Sequence, residues 1–241
     1  VLHHRDWSET SLTLDVFTPA HGRLGLLAKG ARRASSPWRG LLEPFRPLVI
    51  GWSGRGELPI LIQAEADGKS LATHGPALYC GFYLNELLLR LLHRFDPHER
   101  LFALYRDALT ALARGESPDT ILRLFEKRLL DDLGYGPVLD RDVIAGEPIE
   151  AAAVYDYRLD RGPVRLTHPD INTRIEGVRI RGASLLALAA EQLEEAEARR
   201  EAKRLMRALL DQQLGGRPLH TREFYRRVLP HTIPASQETG T

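Results

Sequence analysis

The chain has 241 residues, 43% hydrophobic and 27% charged, with a formal net charge of +1. That length can bury one large core or two smaller ones, and no apolar run reaches the roughly 18 residues of a membrane span. The single cysteine, Cys80, excludes an internal disulfide and any zinc site built from several thiolates.

The first 75 residues read as β structure. VLHHRDW opens the chain without the layout of a signal peptide. SLTLDVF then places Leu12, Leu14 and Val16 on one face. RLGLLAK, PLVIGWSG and LPILIQAEA repeat the alternation, separated by turn signals at TPAHG, SSPWRG and SGRGE. Five short strands in this span predict a five-stranded OB-fold barrel over residues 1–75.

After Asp67-Gly68 the period becomes helical, and residues 76–241 are expected to form a helical domain. Residues 77–92 are almost wholly apolar, which predicts a buried central helix. Asp96-Pro97 with Glu99 predicts a capped second helix ending at Gly115, and Ser117-Pro118 a third ending at Gly134. Short joints predict an antiparallel bundle. Residues 136–182 predict a β-rich insert without cysteine, and a helical pattern returns from Ser184 to Leu214, acidic first and basic later. Thr221 is the expected cap of a last helix, and the final seven residues the expected tail. The whole reads as an α+β, two-domain protein.

Residues that carry chemistry are sparse. The nine histidines are scattered without metal spacing, and HExxH, CxxC and GxSxG are absent. WSGRGEL lacks the Gly-Lys-Ser/Thr ending of a phosphate loop and reads as a hairpin turn. Asn85-Glu86 stand out in an apolar helix. They are read as a structural pair, Glu86 meeting Arg90 or a neighbouring helix, with a catalytic acid as the alternative. No catalytic residue, metal or cofactor is expected.

Charge is concentrated instead. Residues 21–55 hold seven cations (Arg23, Lys29, Arg32, Arg33, Arg39, Arg46 and Arg55) against one acid, Glu43. A solvated loop kept charged against edge pairing would have this composition. On a small barrel, with Trp38 inside the stretch, it also suits phosphate gripping and base stacking along a single strand. Trp52 is read as core. Nucleic-acid binding is the leading function, with an RNA-binding or ribosome-associated OB protein and a hydrolase using Glu86 as competing classes.

SETSLTLDVFTPAHGRLGLLAKGAR, GLLEPFRPL, GRGEL, YLNELLLRLL, LRLFEKRLLDDLGYG and LGGRPLHTREFYR, in this order along nearly the whole chain, resemble the bacterial RecO recombination-mediator family. The resemblance implies an N-terminal OB-fold and a C-terminal helical domain. It implies binding of single- and double-stranded DNA and annealing of complementary strands. It also implies work with RecR to load RecA onto DNA covered by single-strand-binding protein (SSB), and binding of the acidic C-terminal tail of SSB. The implied place is the cytoplasm, at the nucleoid. Carried onto this sequence, it makes Arg23, Lys29, Arg32 and Arg33 DNA contacts, with Arg39 added. Lys203, Arg204 and Arg207 form a second basic face. The best site for the SSB tail is LRLFEKR, through Arg123, Lys127 and Arg128, with Leu122 and Phe125 either lining a pocket or lying in the core. Many family members carry a four-cysteine zinc module where this chain has GYGPVLDRDVIAGEPIE, so zinc is not expected and Tyr155 and Tyr157 are expected to pack the insert instead.

Overall fold

The alternation in the first 67 residues becomes five strands in the computed structural model, which describes residues 1–72, 74–167 and 174–228. They are β1 (His3–Trp7), β2 (Ser11–Thr18), β3 (Gly22–Ala28), β4 (Leu48–Ser53) and β5 (Ile60–Ala66). The sheet order is β1-β2-β3-β5-β4. β1, β2 and β3 form an antiparallel meander, β4 and β5 a hairpin, and the two pieces meet where Leu27 pairs with Ile60 in parallel register.

The sheet is therefore open, which corrects the expected closed barrel. Among the described residues no ladder joins β1 to β4, the two edges. Part of the reason lies in residues 29–47. They form turns and bends and lend buried Ala31 and Leu42 to the core made by Leu14, Val16, Leu24, Leu26 and Leu61. A connecting segment thus supplies apolar cover that a closing strand pair would otherwise give.

The helical half begins with α1 (Gly75–Leu91), followed by α2 (Glu99–Ala113) and α3 (Pro118–Asp132). The expected capping box at Asp96 does not form; α2 starts after His98, which makes no side-chain cap bond. Residues 94–96 run beside β3 instead: Arg23 and Arg94 form an isolated parallel bridge, and the Phe95 amide donates to the Arg23 carbonyl at 3.0 Å. Gly22, at φ +64°, allows this approach, since a Cβ there would lie 1.8 Å from the Asp96 carbonyl oxygen. The insert holds a second sheet, ordered β7-β6-β8, from β6 (Val154–Arg158), β7 (Gly162–Arg165) and β8 (Val178–Arg181). Tyr155 and Tyr157 are buried in it. The chain's one cysteine, Cys80, lies outside this insert, buried in α1.

The helical pattern expected over 184–214 forms two helices, α4 (Gly182–Ala189) and α5 (Ala196–Gln213). Glu191 breaks the run at φ +59°, and its carboxylate meets Lys127 and Arg128 of α3. Last comes α6 (His220–Val228); the expected tail lies outside the described residues. Phe17, on the face of β2 opposite Leu14 and Val16, packs edge-on against Phe102 of α2 at 5.4 Å. With Leu2 and Phe45 it joins the large helical core, so the two halves share apolar contacts. Asn85 completes the joint: its amide donates to the Leu2 carbonyl at 2.8 Å and accepts from the Tyr105 hydroxyl at 2.5 Å.

Candidate nucleic-acid and peptide interfaces

The basic stretch leaves β3 at Ala28 and is stitched to the β1–β2 hairpin. The Arg32 amide donates to Thr10 O at 2.9 Å, its Nη1 to Ser8 O at 2.9 Å, and its Nη2 lies 3.0 Å from Asp6 Oδ2. Beside this anchor Lys29, Arg33 and Arg39 are exposed, and none is in an ion pair among the described residues. The hairpin adds Trp7, 52% exposed although it is the largest side-chain type. Sequence reasoning passed over Trp7. The available signal was its place two residues after Arg5, on the same polar face of an alternating strand. Trp38 is half-buried against the sheet core, and Trp52 is half-buried with its ring edge-on to His21 at 5.0 Å.

Arg23, expected with the DNA contacts, is committed elsewhere. Its Nε donates to Asp15 Oδ1 at 3.3 Å, and its Nη1 to the carbonyls of Leu89 and, at 3.1 Å, Leu92. Those carbonyls belong to the last turn of α1, whose partial negative charge attracts a guanidinium. Arg23 closes that helix end and ties the sheet to the helices.

A second feature is a cavity of about 360 Å³ between α1, α3, α5 and α6. Tyr79, Cys80, Pro118 and Leu122 give it apolar walls; Arg123, Lys203, Arg207 and Arg222 give it positive charge. Tertiary contacts sort the residues expected for the SSB tail. Asp119, Leu122, Arg123 and Glu126 share the face of α3 turned to the cavity or to the core beneath it. Lys127 and Arg128 are drawn to Glu191, and Phe125 is core. Leu122 and Arg123 thus line the cavity, and the other three do not.

Lys203 and Arg207, expected on a DNA track, stand at the cavity instead. Lys203 Nζ pairs with Asp119 Oδ1 at 3.0 Å; Arg207 is exposed and in no ion pair among the described residues. Arg204 leans on Glu201 at 3.3 Å and on the Arg179 carbonyl, in an adjoining groove that Arg200 and Arg207 also line.

Beneath the cavity lies a polar chain, buried at Arg123, Glu126 and Tyr83 and reaching the surface at Asp211. Arg123 pairs with Glu126, which accepts the Tyr83 hydroxyl at 2.6 Å; Arg222 donates to that hydroxyl at 3.1 Å and reaches Asp211 at 2.5 Å. Burial, reinforced by the Glu126 charge, raises the Tyr83 phenol well above its ordinary range. Burial also pushes the Cys80 thiol up to about 11, which keeps it protonated. The Nε of Arg123 is buried with no partner among the described residues. Arg222 and Tyr79 were invisible as site residues because they meet Leu122 only through the tertiary fold.

Glu86, the alternative catalytic acid, holds the start of α6. It accepts the amides of His220 at 2.8 Å and Thr221 at 2.9 Å, and the Thr221 hydroxyl at 2.6 Å. Thr221 therefore sits within α6, and Glu86 does the capping expected of it. No group of three or more His, Cys, Asp or Glu side chains that could hold a metal occurs among the described residues. No helix there is long and apolar enough to cross a membrane.

Residues 1–67 match the family described as Recombination protein O N terminal, and residues 73–223 the family described as Recombination protein O C terminal. The DNA repair protein RecO of Alkalilimnicola ehrlichii is 50% identical over 230 residues, 95% of this chain and 89% of that one. The proteins of the same name from Nitrosospira multiformis and Methylococcus capsulatus are each 46% identical, covering 93% and 94% of this chain and 91% and 90% of their own. These likenesses favour DNA repair over the RNA-binding and hydrolase alternatives.

Proposed function

Because this chain belongs to the RecO family, whose relatives are named for DNA repair, we propose that it is a recombination mediator that works by binding. It holds single- and double-stranded DNA, anneals complementary strands, and acts with RecR to load RecA onto SSB-covered single strands in the cytoplasm, at the nucleoid. Lys29, Arg33 and Arg39 are the phosphate contacts, with Arg32 anchoring the arm and Trp7 offering a ring for base stacking. Annealing requires two strands to approach despite phosphate repulsion. Arg200 and Arg204, in the groove on α5 beside the cavity, supply a second cationic surface that lowers this repulsion.

The cavity takes the SSB tail. Its apolar walls suit a terminal aromatic ring, and Arg123, Lys203, Arg207 and Arg222 suit a carboxylate with acidic neighbours. Holding the tail raises the protein's local concentration on covered strands. RecR and RecA enter this reading through the family alone.

The observation that carries the DNA half is the trio of exposed cations, in no ion pair among the described residues, together with an exposed tryptophan on the hairpin that anchors the arm. Lys29→Glu with Arg33→Glu tests it in a salt series with a labelled single-stranded oligonucleotide. Removing two phosphate contacts is expected to flatten the log–log salt slope by about 1.4 and lower low-salt affinity at least about tenfold. Unchanged affinity with an intact fold would overturn it. Arg207→Ala tests the peptide half, since that guanidinium supports no ion pair among the described residues. Weaker binding of an acidic, aromatic-ended peptide is expected, and an unchanged titration would reject the cavity.

A further inference from the structure

Asp119 is the one acid lining the cavity among the described residues, set among four cations. It stands in the first turn of α3, directly after Pro118, so its backbone is fixed at the mouth. Its carboxylate meets Lys203 at 3.0 Å, the two side chains being 58% and 46% exposed. Burial tends to raise its pKa, but the Lys203 hydrogen bond and the charges of Lys203, Arg123 and Arg199 outweigh it. The carboxyl lies below its ordinary value and is ionised at neutral pH.

We infer that Asp119 sets the affinity of this cavity by standing in for the ligand's carboxylate at Lys203 while the cavity is empty. The inference rests on the reading of the cavity as an acidic-peptide site. An entering carboxylate takes over Lys203, whose flexible stem allows the ammonium to turn toward it. Asp119, tethered by its backbone, then remains in the mouth as a like charge. The ligand gains an ion pair only by ending one, and meets repulsion in doing so. A ligand with one carboxylate replaces the pair without net gain. One with several acidic groups also engages Arg207 and Arg222, so the cavity favours a cluster of negative charge.

The probe is a fluorescein-labelled peptide of four aspartates ending in phenylalanine with a free carboxylate, read by anisotropy with the full chain. Asp119→Asn is expected to tighten binding about two- to fivefold, the scale of a partly exposed ion pair. The gain should vanish near 1 M salt, where the Debye length is about 3 Å. Glu197→Gln makes the same charge change on α5, outside the cavity lining, and is expected to leave binding unaltered. If D119N binds no tighter than the wild type, or E197Q tightens binding equally, Asp119 has no special role. If the wild type does not bind the peptide, the cavity reading fails first and this inference with it.

Discussion

Glu126 lies wholly inside the protein, 0% exposed, and accepts from both the Tyr83 hydroxyl and the Arg123 guanidinium. Glu126→Gln keeps the volume and leaves one carbonyl oxygen, which can serve Tyr83 or Arg123 but carries no charge. Arg123, itself 5% exposed, then loses its buried, hydrogen-bonded counter-charge and keeps only the half-exposed Asp119 at the cavity mouth. Breaking a buried pair from one side costs roughly 3–5 kcal/mol. Arg123 borders the cavity, so water can reach its edge, which argues for the lower end, about 3 kcal/mol. For a chain of this size that is a fall in melting temperature of about 6–12 °C. Thermal unfolding followed by circular dichroism measures it. Adding the acidic peptide should restore part of the loss, because it brings back a negative charge beside Arg123. Melting within about 2 °C of the wild type would show that the pair is not a closed buried charge pair.

Glu86→Ala should cost about 1–2 kcal/mol, the range of a lost helix cap, and loosen α6. Faster trypsin cleavage after Arg222 reports it, and unaltered digestion would contradict the capping role. Arg23→Ala should lower stability by about 1.5–3 kcal/mol, as for lost charge-assisted bonds, while DNA affinity holds. A loss of affinity matching that of the Lys29 and Arg33 reversals would return Arg23 to the DNA surface. Asp142 carries a pH signature. Burial would raise its carboxyl, but the amides of Ala145, Arg165 and Ile144 outweigh this and hold it below its ordinary 3.8. A carboxyl depressed by folding stabilises the folded state above 3.8, and that stability is lost as pH falls through the lower folded value. Asp142→Asn should therefore be less stable at neutral pH, with the gap closing in strong acid; a constant gap from neutral to strong acid would refute this.

The strands were legible because period-two alternation over 4–8 residues is a local property, and Leu12, Leu14 and Val16 do share the buried face. Barrel closure was not, because it depends on how far β1 and β4 reach around a core that residues 29–47 help to fill. Asp96-Pro97 reads as a capping box, yet contact with β3 outbids it, and only the fold brings Arg23 beside Arg94. The break at Glu191 likewise answers to cations more than sixty residues away. The cation cluster was visible as composition, but which members are free was not. Arg23 and Arg33 look alike in sequence; one closes α1 and the other faces solvent. On α3 the helical period does not divide Arg123 from Lys127, which stand four residues apart; the division comes from Glu191, which takes Lys127 and Arg128, and only the fold brings it there.

The last helix supplies Thr221 and Arg222 to the cavity wall and is held at its start by one carboxylate from α1. Shortening the protein just after Leu219, which is buried in the helical core, would leave the sheet core covered and, in the helical half, uncover Tyr79 and Tyr83, where Phe224 and Arg222 lie, while deleting one side of the peptide groove. Such a truncated chain should stay folded but lose at least the roughly 1–2 kcal/mol of the α6 cap, keep its grip on oligonucleotides, and be blind to acidic tails. Loss of residues 220–241 would thus uncouple recruitment from strand handling.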